Sequence, residues 1–454
     1  MWSSAGKRLP AGTSGSAARP ARPARAGVRL VAGLAVTGLL AGCALQSPVP
    51  LPTPTPTPSP TPTVSATSAA PTPSSTLPPP GEEPSVPPVP SDTPTPTAPA
   101  APLCLAAAGK LSLAQQAGQL VMVGVEDTLD AKETDVIKKN HIGSVILMGT
   151  SDRGVKKTAK ITAAIQKLGG SLGMLTAVDQ EGGAVQRLKG PGFSTIPSAA
   201  QQAKLQGEDL FIQARAWGRQ LLKAGVHLNL APVADVVPAN NVAKNEPIAK
   251  LGRGYGTDPD AVSEKVMAYI FSMRQVGMGS AVKHFPGLGA VTGNTDFATR
   301  VVDGTTTVDS PLLEPFRRAL TPGEAGHDPE GRLLMPDAVM ISSAVYSRID
   351  AKNQAIFSPT VIGLVRSWGY PGVVISDDLG AAKALSKVPA KDRAVRFIAA
   401  GGDLAITVTP SAATAMVSGI VARAKANPAF AKQVTVSAAR VLDAKVALGL
   451  TTCG

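Results

Sequence analysis

Three stretches of the chain combine residue types that can do chemistry. In Val178-Asp179-Gln180-Glu181-Gly182-Gly183-Ala184-Val185-Gln186-Arg187-Leu188, two acids, a glycine pair and an arginine share one short segment. A carboxylate and a guanidinium so placed suit bidentate hydrogen bonding to vicinal hydroxyls, and a structural ion pair fits the spacing equally well. In Lys283-His284-Phe285-Pro286-Gly287-Leu288-Gly289, an apolar run ends in adjacent ammonium and imidazole groups and enters a glycine-rich loop. A Lys-His pair alone is a weak signal. In Gly372-Val373-Val374-Ile375-Ser376-Asp377-Asp378-Leu379, a carboxylate stands at the tip of an apolar strand, where an acid is costly unless paired or used.

The elements that must position these groups can be read from hydropathy. Strand-like apolar runs recur at Leu120–Val125, Ser144–Met148, Met174–Val178, His227–Ala231, Ser280–Lys283, Ala338–Ser342, Gly372–Ser376 and Asp403–Val408, with amphipathic segments between them. This alternation implies βα units and a parallel sheet. Eight strands suit an open doubly wound sheet or a closed (β/α)₈ barrel. The polar clusters favour the barrel. Asp179-Gln180-Glu181, Asp235, Lys283-His284, Ser342-Ser343 and Asp377-Asp378 stand at or just past the C-terminal ends of different strands, as on the active rim of a TIM-type barrel. The connection between the fifth and sixth strands is long, and its Thr321–Arg332 stretch reads as a loop.

Composition divides the chain further. Of 41 prolines, 21 fall between Pro48 and Pro102, among Thr, Ser and Ala, so residues 43–103 read as a disordered Pro/Thr/Ser-rich tether. Residues 1–29 are basic and 30–42 are small and apolar, the pattern of a secretory signal too short to be a stable span. The run ends in Leu40-Ala41-Gly42-Cys43, which resembles a bacterial lipobox. Cys43 is then the expected lipidation site: a signal peptide at 1–42 and a membrane lipid anchor on the extracytoplasmic face. In that oxidising location Cys104 and Cys453, at the two ends of the folded region, are expected to pair as a disulfide; two free thiols are the alternative. The four histidines show no ligand spacing, so no metal is expected. The net charge of +12 comes from scattered Lys and Arg without aromatic interleaving, which reads as a solvated surface and argues against nucleic acid.

Taken in order, AGQLVMVGV, GSVILMG, AVDQEGGAVQRL, NLAPVADV, GRGYGTDP, VKHFPG and GVVISDDL resemble glycoside hydrolase family 3, in its single-domain β-N-acetylglucosaminidase branch. The resemblance covers essentially all of 104–454 and implies a (β/α)₈ barrel, no cofactor, a carbohydrate substrate and a retaining mechanism. It implies that Asp377 is the catalytic nucleophile and that Asp179, Arg187, Arg253, Lys283 and His284 hold the terminal sugar. Asp378 is the weaker nucleophile candidate, since alternation along the strand turns it away from Asp377; an acid that supports its neighbour or caps a helix is the favoured reading.

The chain departs from the family pattern where the proton is transferred. Leu288 stands where a His is common, Asn294 replaces the Asp that orients the acid/base His, Asp296 replaces that His, and Ser343 replaces a further His after the sixth strand. Two readings follow. One is an active exo-hydrolase releasing a terminal β-N-acetylhexosamine from peptidoglycan fragments, with Asp296 as acid/base. The other is a catalytically degenerate sugar-binding lipoprotein on the same barrel. A monomer is expected in both.

Overall fold

Each of the eight apolar runs forms a strand: β1 Val121–Val125, β2 Ser144–Leu147, β3 Leu175–Val178, β4 Leu228–Asn229, β5 Gly279–Phe285, β6 Ala338–Ile341, β7 Val373–Ser376 and β8 Ala405–Thr407. These strands come from a computed structural model that describes residues 101–453 apart from 127, 329, 330 and 332. The expected signal segment, the lipidated Cys43 and the tether as far as residue 100 lie outside the described residues. Every residue in the eight strands is buried, as their near-continuous apolar content requires for a sheet covered on both faces.

The strands pair in parallel in sequence order from β1 to β7, with β8 on the other side of β1. An Ile375–Leu404 bridge joins β7 to β8. Two further backbone bonds, Ser376 N to Leu404 O at 3.1 Å and Leu379 N to Ile406 O at 2.8 Å, complete the closure. The architecture is the expected (β/α)₈ barrel. Alternation along the strands separates two cores. Met122, Ile146, Ala177, Leu230, Met340, Ile375 and Ile406 fill the interior, while Val121, Val123, Val145, Val178, Val339 and Val374 face outward into a larger cluster beneath the helices.

The connecting helices are α1 Ala131–Lys139, α2 Gly154–Gln166, α3 Gly207–Lys223, α4 Pro259–Arg274, α5 Glu314–Leu320, α6 Pro359–Ser367 and α7 Ala390–Ala399, followed by α8 Pro410–Ala426 and α9 Pro428–Ala447. Local chemistry sets their starts. At α4, Asp258 accepts the N–H of Ala261 at 2.8 Å and Pro259 occupies the first helical position. Val441 of α9 and Leu448 just beyond it pack against the interior cluster and close the barrel's N-terminal end. Near that end Cys104 and Cys453 are joined by a disulfide, with Cα atoms 5.3 Å apart.

Three details depart from the hydropathy reading. Regular pairing in β4 ends at Asn229, because Pro232 has no N–H to give the ladder; Ala281 N to Ala231 O at 3.1 Å and Ala234 N to Lys283 O at 2.7 Å carry the strand on irregularly. Strand β5 runs on to Phe285, two residues past the expected end at Lys283, so His284 lies within it. The stretch read as loop after Thr321 holds one helical turn, Pro322–Ala325, which proline favours at its first position.

Candidate active site

Lys283 is the centre of a buried charge cluster on the C-terminal rim. Its side chain is 2% exposed, and its Nζ lies 2.7 Å from Asp179 Oδ1 and 2.6 Å from Glu181 Oε1. Glu181 also accepts two bonds from Arg253, Nε to Oε2 at 2.9 Å and Nη2 to Oε1 at 2.8 Å. The same Nη2 lies 3.2 Å from His284 Nε2, and His284 Nδ1 lies 2.8 Å from Asp235 Oδ2. These partners assign the tautomer: Nδ1–H donates to Asp235, and Nε2 accepts from Arg253. Asp235 Oδ1 further accepts the N–H groups of His284 at 2.9 Å and Leu288 at 3.0 Å.

Burial alone would push these groups towards their neutral forms. In Glu181 that penalty is outweighed by Arg253 and Lys283, which hold the carboxyl well below the usual range. In Asp179 burial is likewise outweighed, chiefly by Lys283, and the carboxyl is lowered. Lys283 is raised, because Asp179 and Glu181 more than offset its burial. Asp179, Glu181, Arg253 and Lys283 are therefore ionised and fix one another.

The backbone explains why these side chains converge. Asp179 and Glu181 are two residues apart and turn to the same side. The second carboxylate opens a hairpin, Gln180–Gly182 against Val185–Gln186, pinned by Gln180 N to Asn229 Oδ1 at 3.0 Å and Gln180 Nε2 to Leu188 O at 2.8 Å. Gly182 has a φ of 105°, and a Cβ there would meet Pro197 O at 2.2 Å. Arg253 follows Gly252, whose left-handed φ of 63° ends a turn of 3₁₀ helix. Buried Asn245 ties that segment to the loop after β5: its Nδ2 donates to the carbonyls of Leu288, Gly289 and Val291, and its Oδ1 accepts from Ile248 and Ala249.

One cavity is lined by Asp179, Glu181, Arg253, Lys283, His284 and Asp377, with Met340, Ile406 and Asp378 also on its wall. Asp377 follows β7, and its Oδ1 accepts the N–H of Asp378 at 2.8 Å. Asp378 itself braces the backbone, its carboxylate accepting N–H groups from Gly380, Ala381, Ala382 and Val408. Asp296 lies on the loop after β5, where its N–H donates to Asn294 Oδ1 at 2.9 Å. Burial, and then the charge of Asp377, push the Asp296 carboxyl up to about 6, opposed by the charge of Arg253. Burial pushes the Asp378 carboxyl up to about 6 as well, opposed by the backbone N–H groups that it accepts; Asp296 itself is not among the residues that line the cavity.

A family model, the glycosyl hydrolase family 3 N terminal domain, matches residues 112–444. The chain belongs to glycosyl hydrolase family 3. Among relatives of this family 3 chain, the beta-hexosaminidase LpqI of Mycobacterium tuberculosis is 30% identical over 361 residues, which cover 76% of this chain and 84% of that protein. Among solved structures, the beta-N-acetylhexosaminidase from Beutenbergia cavernae DSM 12333 matches with a TM-score of 0.70 at 40% identity, over 74% of this chain and 99% of that one. A family 3 beta-N-acetylglucosaminidase from Paenibacillus sp. matches with a TM-score of 0.66 at 26% identity, over 75% of this chain and 63% of that one. The protein is a glycosidase.

Of the site residues expected from sequence, Asp179, Arg253, Lys283, His284 and Asp377 share the cavity of this glycosidase. Arg187 is buried nearby and its positive charge reaches Asp179. Leu288, where the family pattern has a His, is buried in the outer core. Ser343 is buried as well, and its carbonyl accepts from Gln354 Nε2 at 3.1 Å. Glu181 and Asp235 are organisers that sequence reasoning placed on the rim, Glu181 within a segment suited to ion pairing, but did not name as site residues, and Asn245 is one that it did not single out. For Glu181 the available signal was its two-residue spacing from Asp179; for Asp235, its place just past the fourth apolar run.

Proposed function

We propose that this chain is a retaining exo-β-N-acetylhexosaminidase in which Asp377 is the nucleophile and Asp296 the acid/base. The observation that carries this reading is that Asp377 lines the cavity holding the Asp179–Lys283–Glu181–Arg253 cluster, while burial and the charge of Asp377 raise the Asp296 carboxyl on the loop after β5. In the first step an Asp377 oxygen attacks the anomeric carbon, the C1–O bond breaks, and the departing oxygen takes the Asp296 proton. In the second, Asp296 as carboxylate removes a proton from water, which attacks C1 and releases Asp377. Asp179, Arg187, Arg253, Lys283 and His284 hold the terminal sugar through charge-assisted hydrogen bonds to its hydroxyls. The names of the relatives support an N-acetylated amino sugar in that position.

The substrate source in this reading is peptidoglycan: GlcNAc–anhydroMurNAc fragments met by a monomer anchored through a lipidated Cys43 outside the cytoplasmic membrane. The lipobox-like run and the Pro/Thr/Ser stretch after it support the anchor. Turnover of a chromogenic GlcNAc glycoside by the purified protein between about pH 4 and 8, against the matching β-glucoside, tests the activity. Sugar binding without turnover of any glycoside would favour the degenerate alternative. Release of Cys43→Ala from the membrane fraction tests the anchor, and unchanged retention would sink it.

A further inference from the structure

The loop that carries Asp296 is docked on its neighbour. The N–H of Lys383 donates to Asp296 O at 3.3 Å, and the N–H of Ala384 donates to Thr295 O at 3.2 Å. These bonds seat Thr295 and Asp296 on the segment that follows β7, and the shape of that segment is set by Asp378. Its Oδ1 accepts the N–H groups of Gly380 at 2.8 Å and Val408 at 3.0 Å, while Oδ2 accepts those of Ala381 and, at 3.1 Å, Ala382. An ionised carboxylate has the lone pairs to take four donors and offers no hydrogen of its own. Because Val408 follows β8, the turn is fixed to the barrel and not only to itself. Gln354 adds a second tie, its Nε2 donating to Ser343 O at 3.1 Å and Ala384 O at 3.0 Å.

We propose that Asp378, buried to 1% exposure, is a positioning residue for proton transfer. By folding residues 378–382 it fixes Lys383 and Ala384, which hold the Asp296 carboxyl at its distance from Asp377. Both of its oxygens are spent on backbone N–H groups, so it acts through the loop. The inference rests on the reading of Asp296 as the proton donor. An Asn at 378 would offer one acceptor oxygen, and its NH₂ would face N–H groups that need acceptors. Loss of the turn would let the Asp296 loop drift, and the cost would fall on leaving groups that need a proton.

The test compares nitrophenyl and methyl β-N-acetylglucosaminides, whose leaving groups need little and much protonation respectively. For Asp378→Asn, the ratio of kcat/KM on the nitrophenyl to the methyl glycoside should rise about tenfold or more, within what general acid catalysis supplies. Because burial raises the Asp378 carboxyl itself to about 6, the leaving-group ratio, and not the pH limb, is the readout that a merely structural defect would leave unmoved. In an Asp296→Ala background, Asp378→Asn should add no further selectivity. Gln354→Leu should shift the ratio in the same direction by less, and it decides the matter should Asp378→Asn fail to fold. Selective loss in Asp296→Ala without selective loss in either loop variant overturns this inference alone. No selective loss in Asp296→Ala overturns the reading beneath it, and the inference with it.

Discussion

Arg253 holds both carboxylate oxygens of Glu181, through Nε at 2.9 Å and Nη2 at 2.8 Å. The fork-on-fork geometry gives the guanidinium one orientation, and in it Nη2 also reaches His284 Nε2. Glu181 is therefore the hinge of two chains of contact, one through Lys283 to Asp179 and the other through Arg253 and His284 to Asp235. Asp179, Glu181, Lys283, Arg253 and His284 of these chains line the cavity, so its polar wall is held by contacts within the protein itself.

Glu181→Gln should consequently cost more than a contact. It leaves two buried cations short of one carboxylate, a change that typically destabilises by about 3–5 kcal/mol. Denaturant unfolding should show a loss of that order, and kcat/KM should fall because Arg253 and Lys283 lose their fixed positions. A variant with wild-type stability and wild-type kcat/KM would show that the hinge is dispensable.

The barrel was legible because its signal is repetitive: eight apolar runs, each closed by polar residues, survive errors at any one boundary. Boundaries failed where backbone chemistry overrode hydropathy, as at Pro232, which interrupts β4, and at His284, which β5 includes despite its polarity. The cavity-lining residues were readable from motif resemblance. The organisers were not. Asn245 takes part through bonds to carbonyls 43 to 46 residues away, and no local spacing encodes such a partner. For Asp378 a supporting or capping role was readable from strand alternation, but its four N–H partners, on two separate segments, were not.

Asp296 should leave its mark on pH dependence. A general acid works in its protonated form, and burial together with Asp377 raises this carboxyl to about 6. On substrates with poor leaving groups, kcat/KM should therefore fall as pH rises through about 6. Asp296→Ala should abolish that limb, impair methyl glycosides far more than nitrophenyl glycosides, and be partly rescued by azide, which can attack the glycosyl-enzyme without base assistance. An azide-insensitive loss, equal on both substrates, would remove Asp296 from the mechanism.

The two chain ends offer a stability test. The disulfide closes a sequence separation of 349, and chain-entropy estimates for so long a loop reach about 5 kcal/mol. Asp443 joins the same ends without covalent chemistry, accepting the N–H groups of Leu103 at 3.0 Å and Cys104 at 2.8 Å. Cys453→Ser should lower the unfolding free energy by less than the entropy figure alone, and Cys453→Ser combined with Asp443→Ala by more than either change. Midpoints that do not move, with or without reductant, would show that the ends contribute nothing.

Lys445 of α9 gives the clearest expected dependence of stability on pH. It is fully buried, and its Nζ donates to Gln119 Oε1 at 2.7 Å and Gly173 O at 3.0 Å, both neutral acceptors. Burial lowers its pKa to about 7, whereas an unfolded lysine titrates near ~10.4. Between those values the unfolded chain binds the extra proton, so stability should rise with pH by up to about 1.4 kcal/mol per unit. Below about pH 7 both states are protonated, and the penalty is complete and level. Lys445→Met removes that penalty and leaves two carbonyl oxygens without their donor, at about 1–3 kcal/mol each. Relative to wild type, the variant should therefore look best near pH 6 and lose ground steadily towards pH 9.5. Urea unfolding at pH 6, 8 and 9.5 measures the difference directly. A stability difference that stays constant across that series would mean that Lys445 keeps its proton in the folded barrel.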